Sequence, residues 1–403
     1  MMKFIRSKLV PILVAFTLLL FLTNNFGLID IEKTAIIIAL GIDSADKGGY
    51  EVTAQIAVPN ASADSKNNES AVVTGKGKTI ADAIDDIGVT TGWYPLLSFC
   101  NLIAISGETL DKDVMTFVDF FNRTDKIPDS SLLIATEGKA KDILSVTTPL
   151  DSVSAFALEK ILVKDIAKLN RIAFTNVKDF SKGYFSKSKS SYMPYVKTIE
   201  SEETQEVQEG NGGGSGGSGG NGGEENKQKI FDCTSTLIFS NGVNVGLLDE
   251  NETLFFNMRK YSSIDTFFDF DEIDFEGEKV ALTLGINEEK RSYSLEMRDR
   301  PIFKIDLALN CHIEDLDKSE EVKDLFTTQD IPENVLKATE EKVKGILNGM
   351  FDKLRESGCD LFQLTDELYK FHHRYYDDYK EDFLNNVQPE INVKCKAQRN
   401  NRA

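Results

Sequence analysis

The spacing of apolar and polar positions changes period several times along the chain, and each period predicts an element. Residues 34–40 form a dense apolar run, and residues 50–58 alternate, with Val52, Ala54, Ile56 and Val58 on one face. Asp46-Lys47-Gly48-Gly49 between them supplies turn chemistry, so the pair predicts a β-hairpin. Residues 61–69 are small and polar and predict an exposed loop. Ile80, Ala83, Ile84 and Ile87 then follow the i, i+3, i+4, i+7 spacing of a helix, with Thr79 as N-cap. Residues 101–106 predict a short strand, and residues 111–121 an amphipathic helix with Val114, Phe117, Val118 and Phe121 inward. Residues 131–136 predict a further strand and residues 153–166 a further helix. Such alternation argues for a mixed sheet covered by helices.

Residues 200–229 interrupt the pattern. Their centre, residues 210–223, contains only Gly, Asn and Ser, which predicts a flexible linker. As a free coil its ends would stand about 30 Å apart. A second hairpin follows, residues 231–239 and 243–248 around Asn241-Gly242, the strongest two-residue hairpin signal. Residues 265–278 mix acidic and aromatic side chains in partial alternation, and residues 279–286, 292–297 and 302–313 predict a three-strand meander. Asp330 and Pro332 open a long helix with Val335, Thr339, Val343, Ile346, Met350 and Leu354 on one stripe, and Gly358 stops it. A more polar helix is predicted over residues 365–384, broken by Pro389. Ile391, Val393, Cys395 and Ala397 then form a closing strand, with Asn392, Lys394 and Lys396 outside.

The expected fold class is therefore α+β: mixed/antiparallel sheets with helices packed on them, in two to three domains behind an N-terminal apolar anchor. The expected divisions are a signal anchor or signal peptide (residues 1–27), an N-terminal mixed α/β domain (28–200), the Gly/Ser/Glu-rich linker (201–229), a middle β-rich domain (230–300) and a C-terminal domain with the long helix and closing strand (301–398).

The N-terminus carries the pattern of an export signal: Lys3, Arg6 and Lys8, then an uncharged apolar run over residues 9–22. The run spans about 21 Å at 1.5 Å per residue, short of a ~30 Å bilayer core. Extension through Phe26, Leu28 and Ile29 would span, burying Asn24 and Asn25. No small-x-small cleavage site lies between Thr23 and Asp30, which favours an uncleaved anchor over a cleaved signal. Under either reading the basic flank stays inside, and the chain after Asp30 lies outside. The apolar side chains of the run favour insertion by roughly 3–7 kcal/mol before the cost of Pro11.

Charge narrows the function. Among 403 residues the formal net charge is −19, a surface that repels phosphate backbones, so nucleic acid is not an expected partner. It also disfavours broad contact between the folded part and anionic headgroups. The five cysteines are an odd number and do not make a disulfide scaffold. Cys233, Cys311 and Cys395 share phase with apolar neighbours and are expected as buried free thiols.

A search for chemistry returns weak motifs. Gly75-Lys76-Gly77-Lys78-Thr79 has the tail of a phosphate loop, but Val72 stands where the first glycine belongs, so a turn and helix cap is expected. Asp269, Asp271 and Asp274 invite a calcium loop, yet its sixth and twelfth positions hold Asp274 and Val280; a solvated sheet edge is expected instead. His372 and His373 would point about 100° apart on a helix and do not chelate one ion, and His312 stands alone. Cys100 follows Phe99 and precedes an apolar strand, which reads as packing. No Gly-x-Ser-x-Gly lies in a strand-turn-helix context. The expectation is a protein that is not an enzyme, with no catalytic, cofactor-binding or metal-binding residue assigned and no cofactor.

Several stretches resemble one family. Glu32-Lys33-Thr34-Ala35-Ile36-Ile37-Ile38-Ala39-Leu40-Gly41-Ile42-Asp43, followed by Tyr50-Glu51-Val52-Thr53-Ala54-Gln55-Ile56, is similar to the opening hairpin of the Ger(x)C proteins. Phe117-Val118-Asp119-Phe120-Phe121-Asn122-Arg123 and then Ser131-Leu132-Leu133-Ile134-Ala135 resemble that family's helix-then-strand block. Gly358-Cys359-Asp360-Leu361-Phe362 resembles its turn after the long helix, and residues 391–396 its final basic-apolar strand. The resemblance covers most of residues 28–200 and 230–398, in order.

The resemblance implies a C subunit of a spore's nutrient germinant receptor. Such a subunit works with integral-membrane A and B subunits on the outer face of the spore inner membrane. It also implies three mixed α/β domains with no recognised catalytic site. One departure matters: family members usually carry a lipobox cysteine just before the first hairpin, and here the first cysteine is Cys100. Lipid attachment is therefore not expected, and either the apolar run or the partners alone would hold the protein. Two rival readings stand beside this one: an extracytoplasmic module that captures the germinant, marked by an apolar pocket with converging polar groups, and an exported hydrolase, marked by a nucleophile–base pair.

Overall fold

The computed structural model describes residues 11, 13–17, 33–45, 48–58, 70–163, 171–200, 229–260, 265–317 and 331–398. Most of the apolar N-terminal run, the turn residues Asp46 and Lys47, the loop at 61–69, the end of the helix expected to reach residue 166, the linker and Asp330 lie outside them. Among the described residues, no helix is long and apolar enough to cross a membrane.

The opening hairpin forms as its pattern dictates. Strand β1 (Thr34–Ser44) pairs antiparallel with β2 (Tyr50–Ala57), closing at Ser44 and Tyr50. Gly48 and Gly49 take φ of +81° and +97°, a region where glycine meets no Cβ penalty. A further strand that the spacing does not predict, β3 (Ser70–Gly77), pairs along β2 and takes in Gly75–Gly77 of the expected turn. Helix α1 (Ile80–Thr91) follows and buries Ile80, Ala83, Ile84 and Ile87, the residues its period selects. β4 (Tyr94–Leu96) and β5 (Leu102–Ile105) both run parallel to β1.

Helix α2 (Met115–Arg123) begins later than residue 111, because Asp113 accepts from the Met115 amide at 2.9 Å and fixes the first turn there. β6 (Leu132–Thr136), α3 (Ala140–Leu144), α4 (Ser154–Val163), α5 (Val177–Tyr184) and β7 (Ser190–Glu200) come next. α1, α2 and α5 cover one face over Ile37, Leu40 and Ile42. α3 and α4 cover the other over Ile38, Leu102 and Ile134. Strands covered on both faces carry no alternation, which is why β5 and β6 read as unbroken apolar runs.

Two expected boundaries are corrected: residues on either side of 300/301 pair in one sheet and share one core, and the division at 229/230 is crossed as well. β8 (Lys229–Ser240) pairs antiparallel with β7 from Ser190–Ser240 to Glu200–Lys229, and β9 (Val243–Leu248) extends the same sheet. The order is β3-β2-β1-β5-β6-β7-β8-β9, with β4 beside β1. The hairpin assigned to a middle domain thus completes the first sheet, and the linker's ends are neighbours in a ladder, not 30 Å apart. Closing so long a loop costs only about 3 kcal/mol plus a constant, which a long ladder outweighs.

Helix α6 (Glu250–Lys260) leads to the second sheet, which has the order β10-β11-β12-β13. β10 (Asp265–Phe275) is the acidic-aromatic stretch and an edge strand, joined to β11 (Glu278–Met297) through Glu276 and Gly277, both at positive φ as a tight hairpin requires. The first two strands of the expected meander are a single strand: β11 runs through residues 287–291, and a register shift between Glu288 and Lys290 absorbs the polar interruption. β12 (Pro301–Asp317) follows.

Helix α7 (Glu333–Glu356) packs its stripe on this sheet, and Gly358, at φ +63°, ends it. The stripe centres on Leu347, not Ile346, which is only half-buried. The single helix expected over residues 365–384 is three: α8 (Leu364–Phe371), α9 (Tyr376–Tyr379) and α10 (Phe383–Asn386). His372 and Asp382 interrupt them with non-helical backbone. β13 (Gln388–Ala397) lies parallel to β12 and includes Pro389, tolerated because β13 is an edge strand. The fold is α+β.

Candidate functional site

Most residues singled out for chemistry have a structural occupation. Cys100 is fully buried, donates to the Leu102 carbonyl at 3.5 Å, and burial pushes its thiol up to about 12. That is the opposite of the lowered pKa a nucleophilic thiolate needs. Cys233 and Cys359 are likewise pushed up to about 12 by burial. Cys395, hydrogen-bonded to Cys311 across β12 and β13 and buried, is also raised. All five cysteines are buried free thiols.

The histidines are dispersed. His372 Nε2 lies 3.0 Å from the Leu295 carbonyl. The His373 ring packs on Tyr369 and Tyr376, with centroids 5.0 and 6.1 Å away. His312 lies over Gly285, where a Cβ would stand 2.2 Å from Nε2, and contacts Glu314 at 3.2 Å. Among the described residues, no three His, Cys, Asp or Glu side chains gather as a metal-holding group.

The acidic stretch is built into its sheet. Asp269 accepts from Thr283 Oγ1 at 2.8 Å, and Asp274 accepts from the Gly277 amide at 3.0 Å within the hairpin turn. Gly75 and Gly77 serve packing: a Cβ at either would approach the Ala83 backbone to 2.2 or 2.4 Å, so the glycines let α1 lie directly on β3. Thr79 Oγ1 accepts from the Asp82 amide at 3.1 Å, while Asp82 accepts from the Lys78 amide at 2.8 Å. The helix start that resembles a phosphate loop is filled by its own caps.

A group of buried polar side chains lies at the junction of the two sheets, on α6. Residues 252–258 are all buried, because α6 is enclosed by the first sheet, the second sheet and α7. Asp249 and Glu252 form a reciprocal capping box, each side chain 2.9 Å from the other's amide. Glu252 also pairs with Lys353 of α7. Thr253 Oγ1 meets Thr236 Oγ1 of β8 at 2.9 Å, and Asn257 donates to the Ile172 carbonyl at 2.9 Å. The Phe256 ring sits 4.8 Å from Tyr192 of β7, and Phe255 lies 5.9 Å from Phe268 of β10.

Cations close the junction. Arg171 bonds Glu250 Oε1 at 2.6 Å, Thr266 Oγ1 at 3.3 Å and the Phe267 carbonyl. Lys260 donates to Tyr192 Oη, and burial lowers its ammonium pKa. Arg291 of β11 donates to the Met258 carbonyl, and Arg259 to that of Phe362. A second tie runs from Asp366 of α8 to the amides of Lys187 and Ser188 at 3.1 and 3.0 Å. This arrangement ties the two sheets together through α6 and its neighbours.

Reading by periodicity passed over α6, since a helix buried all round shows no stripe. Its signal was Asp249-x-x-Glu252 ahead of Leu254, Phe255, Phe256 and Met258.

Comparison with known proteins places the chain among spore germination proteins. Residues 28–198 match the model of the spore germination protein N-terminal domain, and residues 234–401 that of the spore germination B3/GerAC-like C-terminal domain. Spore germination protein B3 of Bacillus subtilis (strain 168) is 31% identical over 140 residues, 34% of this chain and 37% of that protein. Spore germination protein KC of the same organism is 23% identical over 174 residues, 41% of this chain and 43% of that protein. The alignments thus span about two fifths of the length of these curated relatives. A crystal structure of the GerBC protein superposes with a TM-score of 0.49 at 16% identity, covering 92% of this chain and 100% of that one.

Proposed function

As the chain belongs to the Ger(x)C family of spore germination proteins, we propose that it is a non-enzymatic subunit of a nutrient germinant receptor. It is tethered by its apolar N-terminal segment to the outer face of the spore inner membrane and works with integral-membrane A and B subunits. The observation that carries this reading is the α6 junction. There, buried polar groups on α6 and the neighbouring arginines tie the first sheet, the second sheet and α7 together. A subunit that scaffolds membrane partners needs such rigidity, because displacement imposed on one surface then reaches the other.

The resemblance to B3 and KC supports a place in germination, and the order of basic flank and apolar run supports the tether. The test is co-purification of the tagged full chain from spore membranes. Two integral-membrane subunits are expected to co-elute in fixed proportion. A chain that floats with the membrane but elutes without them would overturn the receptor assignment.

A further inference from the structure

Several large apolar side chains left in water lie at one rim of the first sheet, while others, such as Leu150, Phe185 and Phe371, are exposed singly elsewhere. Trp93, Tyr94 and Phe99 are 49%, 43% and 55% exposed, and Val89 is 83% exposed. Register places them together. Tyr94 is the ladder partner of Thr34, the first residue of β1. Trp93 follows Gly92, which ends α1 two residues after Thr90 and closes that helix beside Val89. Phe99 lies in the short turn between β4 and β5, the two strands laid successively along β1. On the other side of β1, Val58 is 41% exposed and follows Ala57, the partner of Ile36.

From this placement we infer that the rim around the start of β1 rests in the headgroup region of the bilayer, with Trp93 and Tyr94 as its interfacial anchors. The inference rests on the tethering proposed above and adds which surface faces the lipid. Three observations support it. The apolar run ends at Leu22, and the eleven residues from 23 to 33 reach at most about 40 Å even fully extended, so the start of β1 is held near the membrane. Trp and Tyr rings present an apolar body and a polar edge, the combination that suits a membrane–water interface.

Charge gives the third. β1, β5, β6 and β7 are mutually parallel, so Glu200 ends β7 at the pole opposite Thr34. The segment leaving there carries Glu202, Glu203, Glu206, Glu209, Glu224 and Glu225. The inferred pose turns that acidic end away from anionic headgroups, while local aromatic contact avoids the repulsion that a broad acidic face would meet.

Trp93 is the only tryptophan in the chain, so its emission reports on this rim alone. The full chain would be reconstituted into phosphatidylcholine–phosphatidylglycerol vesicles whose acyl chains are brominated either close to the headgroup or deep in the core. The expected result is co-flotation with the vesicles, loss of Trp93 emission with shallow bromines and little loss with deep ones. The variant W93F/I199W moves the probe to the far end of β7, where Ile199 is 46% exposed, and its emission is expected to be unquenched. Co-flotation with Trp93 unquenched would overturn the inference alone and leave a protein partner as the occupant of the rim. Equal quenching at both positions would also overturn it, by showing indiscriminate adsorption. A chain that fails to co-float would overturn the tethering itself and this inference with it.

Discussion

Helices α6 and α7 belong to one apolar core, yet they are buried in different ways. α7 offers one stripe, Val335, Thr339, Val343, Leu347, Met350 and Leu354, and leaves Lys337, Glu341 and Lys344 in solvent. α6 buries seven consecutive residues, including Glu252, Thr253 and Asn257. A one-faced helix is a lid whose polar groups are satisfied by water. An enclosed helix must find internal partners for its polar groups, and here they come from Thr236 of the first sheet, Arg291 of the second, the Ile172 carbonyl and Lys353 of α7. The difference separates an element that stabilises one lobe from an element that couples two.

The sharpest way to break that comparison is to hollow each helix in turn. Phe255→Ala should cost about 3–5 kcal/mol, and Leu347→Ala about 2–5 kcal/mol, as large-to-small changes at closed core sites. Hydrogen exchange should show β8 and β10 losing protection together in Phe255→Ala, whereas Leu347→Ala should weaken the second sheet first. If Phe255→Ala loosened only the second sheet, α6 would be another lid. Denaturant unfolding should also rank Ile346→Ala well below Leu347→Ala, because Ile346 is half-exposed.

A smaller effect is expected at the α6 start. Asp249→Ala removes half of the capping box and should cost about 0.5–2 kcal/mol. Glu252 would keep its Lys353 partner, so the loss should come from fraying at the first turn, visible as faster amide exchange there. An unchanged midpoint would mean that enclosure alone sets the helix.

The smallest expected effect is at the glycine-rich segment. Because Glu200 and Lys229 are ladder partners, folding brings the two ends of this segment together, and halving its length should stabilise the fold by about 0.6 kcal/mol. Thermal unfolding and germination response should otherwise be unaffected. A large loss in either would give the segment an ordered role.

These contrasts explain which parts of the fold could be read from local spacing. α1 and α7 each expose one face, so Ile84 and Val343 announce them. The free thiols Cys233, Cys311 and Cys395 were legible from phase with apolar neighbours. The β7–β8 pairing was not, since Ser190 and Ser240 meet across fifty residues of chain and no local period encodes that. The polar run at residues 287–291 imitated a turn because a register shift lets β11 carry it without ending. At the junction, Asp366 and Asn257 find their partners through long-range hydrogen bonds, so spacing does not mark them, whereas the capping box of α6 is local and visible in the sequence.

The central claim is that this chain acts by rigid coupling between partners and contributes no reacting side chain. It is tested most directly by plotting nutrient-triggered germination against the amount of chain assembled in the spore membrane, for wild type, Phe255→Ala, Cys100→Ala and His373→Ala. The account predicts a single line. Phe255→Ala should fall along it by lowering the folded amount, and His373→Ala should stay beside wild type. Cys100→Ala should move only as far as its assembly does. A Cys100→Ala or His373→Ala variant that assembles at the wild-type level and no longer responds would contradict the claim, because a side chain assigned to packing would then be doing chemistry.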